Sequence, residues 1–270
     1  MLSYKEFMQA AVRERGPDHP VFKFNDKLSG RRLGELSGVR VPDLLQGPTS
    51  LRRLVAPEGP AILKPVNGCT ARGVFPLVPQ RGGTFRELFT GGSLTWSDVV
   101  EGALAAKHSK RNEELLARGH YDALRPPWIV EELVERRGRG GRRELPYDWK
   151  AFCFGGRVEV IRQAIHFPEK PFSLKVKWYD RNWSPVGEVA PATRWKFSPR
   201  LPKPKHPSAL VEAFEAVASR VDSPFVRVDL FEDDAGPVWG EVTPHPTGGH
   251  MQFVQEWDER LGRAWDAALA

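Results

Sequence analysis

The stretch that most constrains the fold lies near the end of the chain, where two alternating segments of β-type residues flank a turn. Residues 225–231 read Phe-Val-Arg-Val-Asp-Leu-Phe, and residues 238–243 read Val-Trp-Gly-Glu-Val-Thr. Residues 232–237 between them, Glu-Asp-Asp-Ala-Gly-Pro, have the composition of a turn. The pattern therefore predicts a β-hairpin.

The hairpin brings acidic residues together if its register is as the pattern suggests. Side chains alternate along a strand, so the apolar residues Val226, Val228 and Leu230 should share one face, and Arg227 and Asp229 the other. Pairing Phe231 with Trp239 would place Asp229 opposite Glu241, and Arg227 opposite Thr243. Carboxylates facing each other across a ladder repel, and a divalent cation bound by oxygen ligands would relieve the repulsion. A register shifted by one residue would instead leave both acids in solvent.

Composition places the chain among globular proteins. Its 270 residues suffice for one large or two small domains, with 40% hydrophobic and 27% charged residues. No apolar run approaches the roughly 20 residues of a membrane helix, and the first residues lack the apolar core of a signal peptide. We therefore expect a cytoplasmic protein with no membrane partner.

Cysteine content and net charge restrict the kinds of site and partner that this protein can have. Cys69 and Cys153 are the only cysteines and form no CxxC motif, which argues against a disulfide framework or a zinc site. The net charge of +6 and the pI near 9.4 favour an anionic partner. A nucleotide, an acidic substrate and nucleic acid all satisfy that condition.

Helix signals occur at both ends and in the middle of the chain. Ser3-x-x-Glu6 is a capping box that opens a helix to about Glu14. A second helix is predicted from about Asp26 to Leu36, although its two glycines weaken the prediction. The remaining predicted helices are a short one with Leu51, Leu54 and Val55 facing inward, a long one from Thr95 to about Ala117, one starting at His206, and one from Trp257 to Leu269.

A strand, a loop of small residues and a returning strand occupy residues 61–78. Lys64 lies near the end of the first strand, and residues 67–74 form the loop. Glycines let a backbone approach phosphates closely, but the lysine precedes the loop, unlike the lysine of a P-loop. An ordinary hairpin with a mobile tip is the alternative.

Three further segments complete the pattern. Residues 128–135 predict an apolar strand with acids in its middle, and residues 136–143 hold five arginines. The arginine-rich tip is either a solvated loop or a mobile cover for an anionic ligand. Residues 148–154 and 157–162, joined by two glycines, predict a hairpin with Lys150, Phe152 and Phe154 on one face.

In this order, the segments resemble the ATP-grasp superfamily, and most closely its TupA-like branch, named for teichuronopeptide biosynthesis. The resemblance spans roughly Lys23 to Leu261. Five segments in this order carry the resemblance. They are Asp26-Lys27, Ile62-Leu63-Lys64-Pro65, Asp148-Trp149-Lys150-Ala151-Phe152-Cys153-Phe154-Gly155-Gly156, Phe225-Val226-Arg227-Val228-Asp229-Leu230 and Gly240-Glu241-Val242-Thr243.

The resemblance implies an α+β protein with the ATP-grasp fold, in which two α+β lobes enclose ATP. An N-terminal helix would occupy residues 1–22 and the ATP-grasp domain residues 23–265. Within that domain, the small nucleotide-clamping lobe would cover about 60–135 and the C-terminal lobe about 145–265. Only 26 residues precede Lys27, so the additional N-terminal domain of many relatives is expected to be reduced or absent.

The resemblance also implies a nucleotide site. Lys64 would contact the phosphates with Lys27 as its partner, and the loop from Asn67 to Gly73 would close over them. The strand at residues 131–134 would be the hinge, its backbone reading adenine and an acid holding the ribose. The implied nucleotide-binding residues are Lys27, Lys64, Gly68, Thr70, Gly73, Glu131, Glu132, Leu133 and Val134.

The same resemblance implies a magnesium and transfer site. Asp229 and Glu241 would bind Mg²⁺ that bridges the phosphates, and Arg227 and Lys150 would be catalytic. Many relatives have Asn at the position of Thr243, a weaker ligand here, which leaves a second magnesium open. Candidate substrate contacts are Lys175, Lys177, Arg181 and His245.

The implied reaction is ATP-dependent ligation. The γ-phosphate would pass to a carboxylate, and an amine would displace it to form an amide or peptide-like bond, leaving ADP and phosphate. An amino acid, sugar acid or peptide would be the substrate, in cell-surface polymer or secondary-metabolite biosynthesis. A kinase acting on a small molecule or sugar is one alternative.

The other alternative is a non-enzymatic polyanion- or nucleic-acid-binding protein that uses the tip at residues 136–143. That basic run is short and lacks an interleaved stacking platform, so no nucleic acid is expected as a partner.

Overall fold

A computed structural model defines the fold as α+β, with two separate mixed layers of helix and sheet. It describes residues 2–16, 19–68, 71–117, 123–166, 174–191 and 195–270. Thr70 and Cys69 of the predicted phosphate loop lie outside these residues. Among the helices described, none combines the length and apolarity that crossing a bilayer requires.

The described helices and strands alternate along the chain. The α-helices are α1 (Tyr4–Glu14), α2 (Lys27–Leu36), α3 (Trp96–Lys107), α4 (Lys110–Ala117), α5 (Pro207–Ala218) and α6 (Gln255–Leu269). The strands are β1 (Leu44–Thr49), β2 (Ala61–Asn67), β3 (Phe75–Pro79), β4 (Phe85–Glu87), β5 (Ser93–Leu94), β6 (Arg125–Glu132), β7 (Arg136–Arg137), β8 (Arg143–Glu144), β9 (Asp148–Phe154), β10 (Arg157–His166), β11 (Leu174–Tyr179), β12 (Pro185–Val186), β13 (Trp195–Phe197), β14 (Phe225–Asp233) and β15 (Gly236–Thr243). Short 3₁₀ helices cover Pro20–Phe24, Leu51–Arg53, Arg139–Gly141 and Pro246–Gly249.

The smaller layer is a six-stranded sheet in the order β1-β6-β2-β3-β4-β5. Helix α3 buries Val99 and Ala103 in the core of this layer. The long predicted helix is two helices, because the chain breaks at residues 108 and 109 and Asn112 turns inward to bond the backbone of Leu124. Leu51 and Leu54 are buried as predicted, but Val55 is 65% exposed, so that part of the prediction was wrong.

The larger layer is a sheet in the order β12-β11-β10-β9-β14-β15, with β13 pairing in parallel with β11. Helix α5 covers one face through residues such as Leu210 and Phe214. Helices α1 and α6 cover part of the other face, where Tyr4, Phe225 and Trp265 form an aromatic cluster. The first helix begins at the predicted capping box.

The hairpin of β14 and β15 has the predicted pairing where the acids lie. Asp229 is opposite Glu241 and Arg227 is opposite Thr243. A β-bulge at Gly240 then shifts the register by one residue, so Phe231 pairs with Val238 and not with Trp239. A Cβ at position 240 would lie 2.5 Å from the Asp229 carbonyl oxygen, which explains the glycine.

The turn of this hairpin is tighter than predicted. The strands continue to Asp233 and resume at Gly236, which leaves only residues 234 and 235 between them. The Asp233 carboxylate closes the turn by accepting from the N–H groups of Ala235 and Gly236 at 2.9 and 3.2 Å.

Helix α2 contacts both layers, and its two glycines have a packing role. The Asp26 side chain caps the helix by accepting from the N–H groups of residues 28 and 29. Gly30 and Gly34 lie against the indole of Trp239 in β15. A Cβ at position 34 would be only 2.9 Å from that rigid ring, so the glycines that weaken the helix signal are required by packing.

Replacing Gly34 with Ala should therefore destabilise the protein despite the better helix propensity of alanine. Overpacking costs about 1–3 kcal/mol, and alanine recovers about 1 kcal/mol of that. Chemical denaturation should show a lower midpoint with an unchanged slope. Gly59→Ala is the control, because no atom lies within 4 Å of a Cβ there. A Gly34→Ala protein as stable as the wild type would contradict this packing account.

The segment from Arg40 to Asp43 joins the two layers through its backbone. The Arg40 carbonyl accepts from the Trp239 N–H at 2.8 Å, and the Asp43 carbonyl accepts from the Glu132 N–H at 2.8 Å. One short segment thus bonds both to the hairpin with the paired acids and to the end of β6.

Candidate active site

A row of charged residues crosses one face of the larger sheet. The register places Arg162 opposite Lys150, Lys150 opposite Asp229, and Asp229 opposite Glu241. Arg227 lies on the same face, two residues before Asp229 on β14. Four neighbouring strands, β10, β9, β14 and β15, therefore bring three cations and two carboxylates together.

Asp229 is at the centre of this row and is buried. Arg227 donates to both of its carboxylate oxygens at 2.6 Å, and Lys150 forms an ion pair with it. Burial by itself would raise the pKa of Asp229, but the Arg227 and Lys150 cations outweigh burial and lower that pKa to about 2. Burial alone would also lower the pKa of Arg227, but the Asp229 carboxylate outweighs burial and raises that pKa. The carboxylate is thus ionised at neutral pH.

Glu241 and Thr243 present oxygen atoms beside Asp229. The Glu241 side chain is 51% exposed, and its Oε1 lies 3.6 Å from Arg227 Nη2. The same guanidinium donates to Thr243 Oγ1 at 2.9 Å. The hairpin therefore offers one buried and one accessible carboxylate together with a hydroxyl.

This donor set fits a magnesium ion that also binds phosphate. Mg²⁺ in nucleotide sites uses one or two carboxylates and completes its shell with phosphate oxygens and water. In the described part of the chain, no group of three or more His, Cys, Asp or Glu residues is arranged to hold a metal by itself. Asp229 and Glu241 are the residues that would hold the ion, with Asp229 exchanging part of its contact to Lys150 or Arg227.

Asp148 belongs to the site but was missed by the sequence reasoning. Its Oδ2 lies 2.9 Å from Lys150 Nζ, and its buried Oδ1 has no hydrogen-bond partner among the described residues. Strand alternation could have identified it, because Asp148 and Lys150 are two residues apart on one strand and therefore share a face. Arg162, also missed, lies over Trp178 at 5.8 Å, and burial lowers its pKa to about 10.

The smaller layer contributes a second cluster, centred on Glu131. Its side chain is 2% exposed and forms ion pairs with Lys64 and, at 2.9 Å, with Arg31. Lys27 donates to the Gly68 carbonyl at 3.0 Å. The structure therefore brings Lys27 to the predicted phosphate loop and Lys64 to the predicted hinge. Arg31, in α2, was not foreseen.

The other hinge and loop residues have varied surroundings. The Glu132 carboxylate pairs with Arg40 at 3.2 Å, and the side chains of Leu133 and Val134 are buried. The Leu133 N–H donates to the Pro60 carbonyl at 3.4 Å. Gly73 has a φ of 69°, and a Cβ there would lie 2.8 Å from the Trp128 ring, so packing already requires this glycine. The adenine, ribose and phosphate roles stay predictions.

Three of the four candidate substrate residues lie away from Asp229. Lys175 and Lys177 alternate with Trp178 on β11 and point to the opposite face of the sheet. Lys177 is buried and donates to the Leu201 carbonyl at 3.1 Å. Arg181 forms two 2.8 Å hydrogen bonds with Glu215 of α5. Alternation along a strand puts Lys175 and Lys177 on one side of β11, but it does not reveal which side faces the acids.

The arginine-rich tip is a small hairpin of β7 and β8. Arg136 pairs with Glu144 and lies 4.9 Å from the centre of the Tyr147 ring. Arg143 bonds Glu135 at 2.5 Å. These two arginines are thus neutralised locally, which weakens the case for the tip as a polyanion-binding surface.

His245 is buried just beyond the hairpin, with its ring 5.1 Å from that of Phe22. Burial first, then the nearby Arg15 and His19, lower the pKa of His245 to about 4. Its Nε2 has no hydrogen-bond partner among the described residues. The residue is therefore neutral at pH 7 and packs between the hairpin and the N-terminal region.

Stability should consequently fall between pH 6.5 and pH 4. The unfolded chain protonates His245 near pH 6.5, whereas the folded chain resists protonation down to about pH 4, so acid favours unfolding in that window. In His245→Gln, the decrease in Tm between pH 6.5 and pH 4.5 should shrink by about 3–6 °C. The exposed His108 provides the control as His108→Gln. An unchanged pH dependence in His245→Gln would refute the assignment.

Several solved structures of ligases are similar to this chain at low sequence identity. The VanG D-Ala:D-Ser ligase from Enterococcus faecalis is 14% identical, with a TM-score of 0.50 over 91% of this chain and 60% of its own. The D-alanine–D-alanine ligase from Helicobacter pylori is 11% identical, with a TM-score of 0.46 over 90% and 58%. The L-amino acid ligase from Bacillus licheniformis is 16% identical, with a TM-score of 0.45 over 88% and 45%. The chain thus spans between 45% and 60% of the length of these proteins.

The family follows from the sequence itself. The family model described as TupA-like ATPgrasp matches residues 103–265, which is more than half of the chain. The chain therefore belongs to the TupA-like ATP-grasp family, as its motifs indicated. No curated protein matches it in sequence.

Proposed function

We propose that this protein is an ATP-dependent carboxylate–amine ligase. The observation that carries the proposal is the pairing of Asp229 with Glu241, with Arg227 and Lys150 beside them on one sheet face. Such a set of carboxylates and cations suits phosphoryl transfer, which needs charge placed around the phosphoryl group more than it needs a nucleophilic side chain. Membership of the ATP-grasp family supports the same choice.

Each lobe would have its own part in this reaction. Lys64 and Lys27 would bind the phosphates from the smaller layer, and the end of β6 would receive the adenine. Asp229 and Glu241 would hold Mg²⁺, which when bound supplies charge neutralisation to the phosphates. Arg227 and Lys150 would stabilise the negative charge on the transferring group.

The reaction would proceed in two steps. A substrate carboxylate oxygen attacks the γ-phosphorus and the bond to the β-phosphate oxygen breaks, which gives an acyl phosphate and ADP. An amine nitrogen then attacks the acyl carbon, loses a proton and expels phosphate. The product is an amide or peptide-like bond, and an amino acid, sugar acid or peptide from cell-surface polymer or secondary-metabolite biosynthesis would supply the acid.

The test is a coupled-product assay. Purified protein is incubated with ATP, Mg²⁺ and pools of carboxylic acids and amines, and ADP, AMP and phosphate are measured. Ligation predicts ADP and phosphate in equal amounts only when both pools are present. AMP as a product would contradict the acyl-phosphate route, and a phosphorylated product made without an amine would favour the kinase.

A further inference from the structure

Arg31 is the unassigned residue with the most direct link to the proposed nucleotide site. Its Nη1 lies 2.9 Å from Glu131 Oε1 and donates to the Pro42 carbonyl at 2.6 Å. The Arg31 side chain is 14% exposed and that of Glu131 is 2% exposed, so the pair is almost fully removed from water. Lys64 is bound to the other oxygen of the same carboxylate.

This geometry creates a conflict when phosphates bind. Lys64 cannot hold both the buried Glu131 carboxylate and an incoming phosphate at full strength. If Lys64 moves toward phosphate, Glu131 loses one of its two cations. A buried carboxylate without a counter-charge is strongly unfavourable, so a second cation is needed to stay behind.

Helix α2 holds that second cation in place. Lys27 and Arg31 are four residues apart and therefore lie on one side of the helix. Lys27 reaches the Gly68 carbonyl, and Arg31 reaches Glu131. Gly30 and Gly34 pack this helix against Trp239 of the larger layer, which fixes the position of the arginine.

We propose that Arg31 is a positioning residue for nucleotide binding: it keeps Glu131 neutralised and so releases Lys64 to bind phosphate. The inference rests on the proposed function, because it takes Lys64 as a phosphate ligand. It predicts that Arg31 matters for ligands with phosphates and not for the nucleoside alone.

The test compares ATP with adenosine by isothermal titration calorimetry in the presence of Mg²⁺. In Arg31→Met, the Kd for ATP should rise about 10- to 100-fold, whereas the Kd for adenosine should change less than about twofold. Arg31→Lys keeps a cation and should recover most of the ATP affinity. If Arg31 only stabilised the fold, Arg31→Met would weaken the binding of ATP and of adenosine by similar factors.

A second variant keeps the test decisive if Arg31→Met folds poorly. Glu131→Gln removes the buried charge, so adding Arg31→Met to it should cost no further ATP affinity. An equal loss of ATP affinity in both backgrounds would overturn the inference. So would an unchanged ratio of the ATP and adenosine Kd values in Arg31→Met, and in that case the proposed function would stand. Wild-type protein that binds neither ligand would refute the function and the inference together.

Discussion

Asp229→Asn should abolish ligation, with kcat falling at least about 10³-fold, while the chain still folds. The substitution keeps the shape of the side chain but removes the charge that would hold Mg²⁺ and orient Arg227 and Lys150. Loss of one preorganised electrostatic partner typically costs 10²–10³ in rate, and here the metal ligand is lost as well. Steady-state ADP release with both substrate pools is the measurement.

The matched control lies on the same hairpin. Asp234 is in the turn, its side chain is 84% exposed, and it contacts Lys205 only at the surface. Asp234→Asn should leave kcat within about twofold, because exposed ion pairs contribute little. Turnover that survives Asp229→Asn would refute the metal and transfer site.

The Asp229 substitution also has a pH signature in stability. The folded pKa is about 2, whereas an unfolded aspartate titrates near 3.9. The depressed pKa stabilises the fold above about pH 4, and this contribution is lost as the pH falls through 2. In Asp229→Asn, the acid-induced loss of unfolding free energy between pH 4 and pH 2 should be smaller by about 2 kcal/mol. This window lies below that of His245, so the two effects can be measured separately.

Lys64→Met should weaken ATP binding by about 10- to 100-fold, since a hydrogen-bonded charge on phosphate contributes about 1.5–3 kcal/mol. The protein should remain folded, because Glu131 keeps its ion pair with Arg31. Titration calorimetry with ATP and with adenosine measures the effect, and adenosine affinity should be nearly unchanged.

Lys110→Met is the control for this variant, because Lys110 is an exposed residue at the start of α4 in the same layer. It should bind ATP as the wild type does. If Lys64→Met and Lys110→Met bind ATP equally well, Lys64 is not a phosphate ligand, and the nucleotide site must be placed elsewhere.

Much of the candidate site could be read from local patterns. Strand alternation and the turn predicted the hairpin, and the register that places Asp229 opposite Glu241 is confirmed by the structure, although the Phe231–Trp239 pairing on which it rested is wrong. The register slips only beyond the site, where Gly240 forms a bulge that alternation does not reveal. The start of α1 followed from the capping box at Ser3, because capping is a contact between near neighbours.

Tertiary structure decided which residues meet across long stretches of chain. Arg31 and Glu131 are 100 positions apart, and their ion pair exists because Gly30 and Gly34 let α2 pack on Trp239. No local pattern in the sequence indicates that Arg31 and Glu131 come into contact. The same applies to Lys177 and Arg181, which are candidate substrate residues in the sequence. On the far face of the sheet, Lys177 donates to the Leu201 carbonyl and Arg181 to Glu215 of α5.

The residue pattern thus indicated the family through its motifs, and it set the alternation that places Arg227 and Asp229 on one face of their strand and Lys150 on one face of its own with Phe152 and Phe154. These properties depend on residues within a few positions of each other, where backbone geometry alone sets the side-chain directions. Which of the two faces became the site, and which cations stay with Glu131, was decided by the packing of helices on the sheets. Burial and counter-charge are properties of the assembled layers, so only the tertiary structure could reveal them.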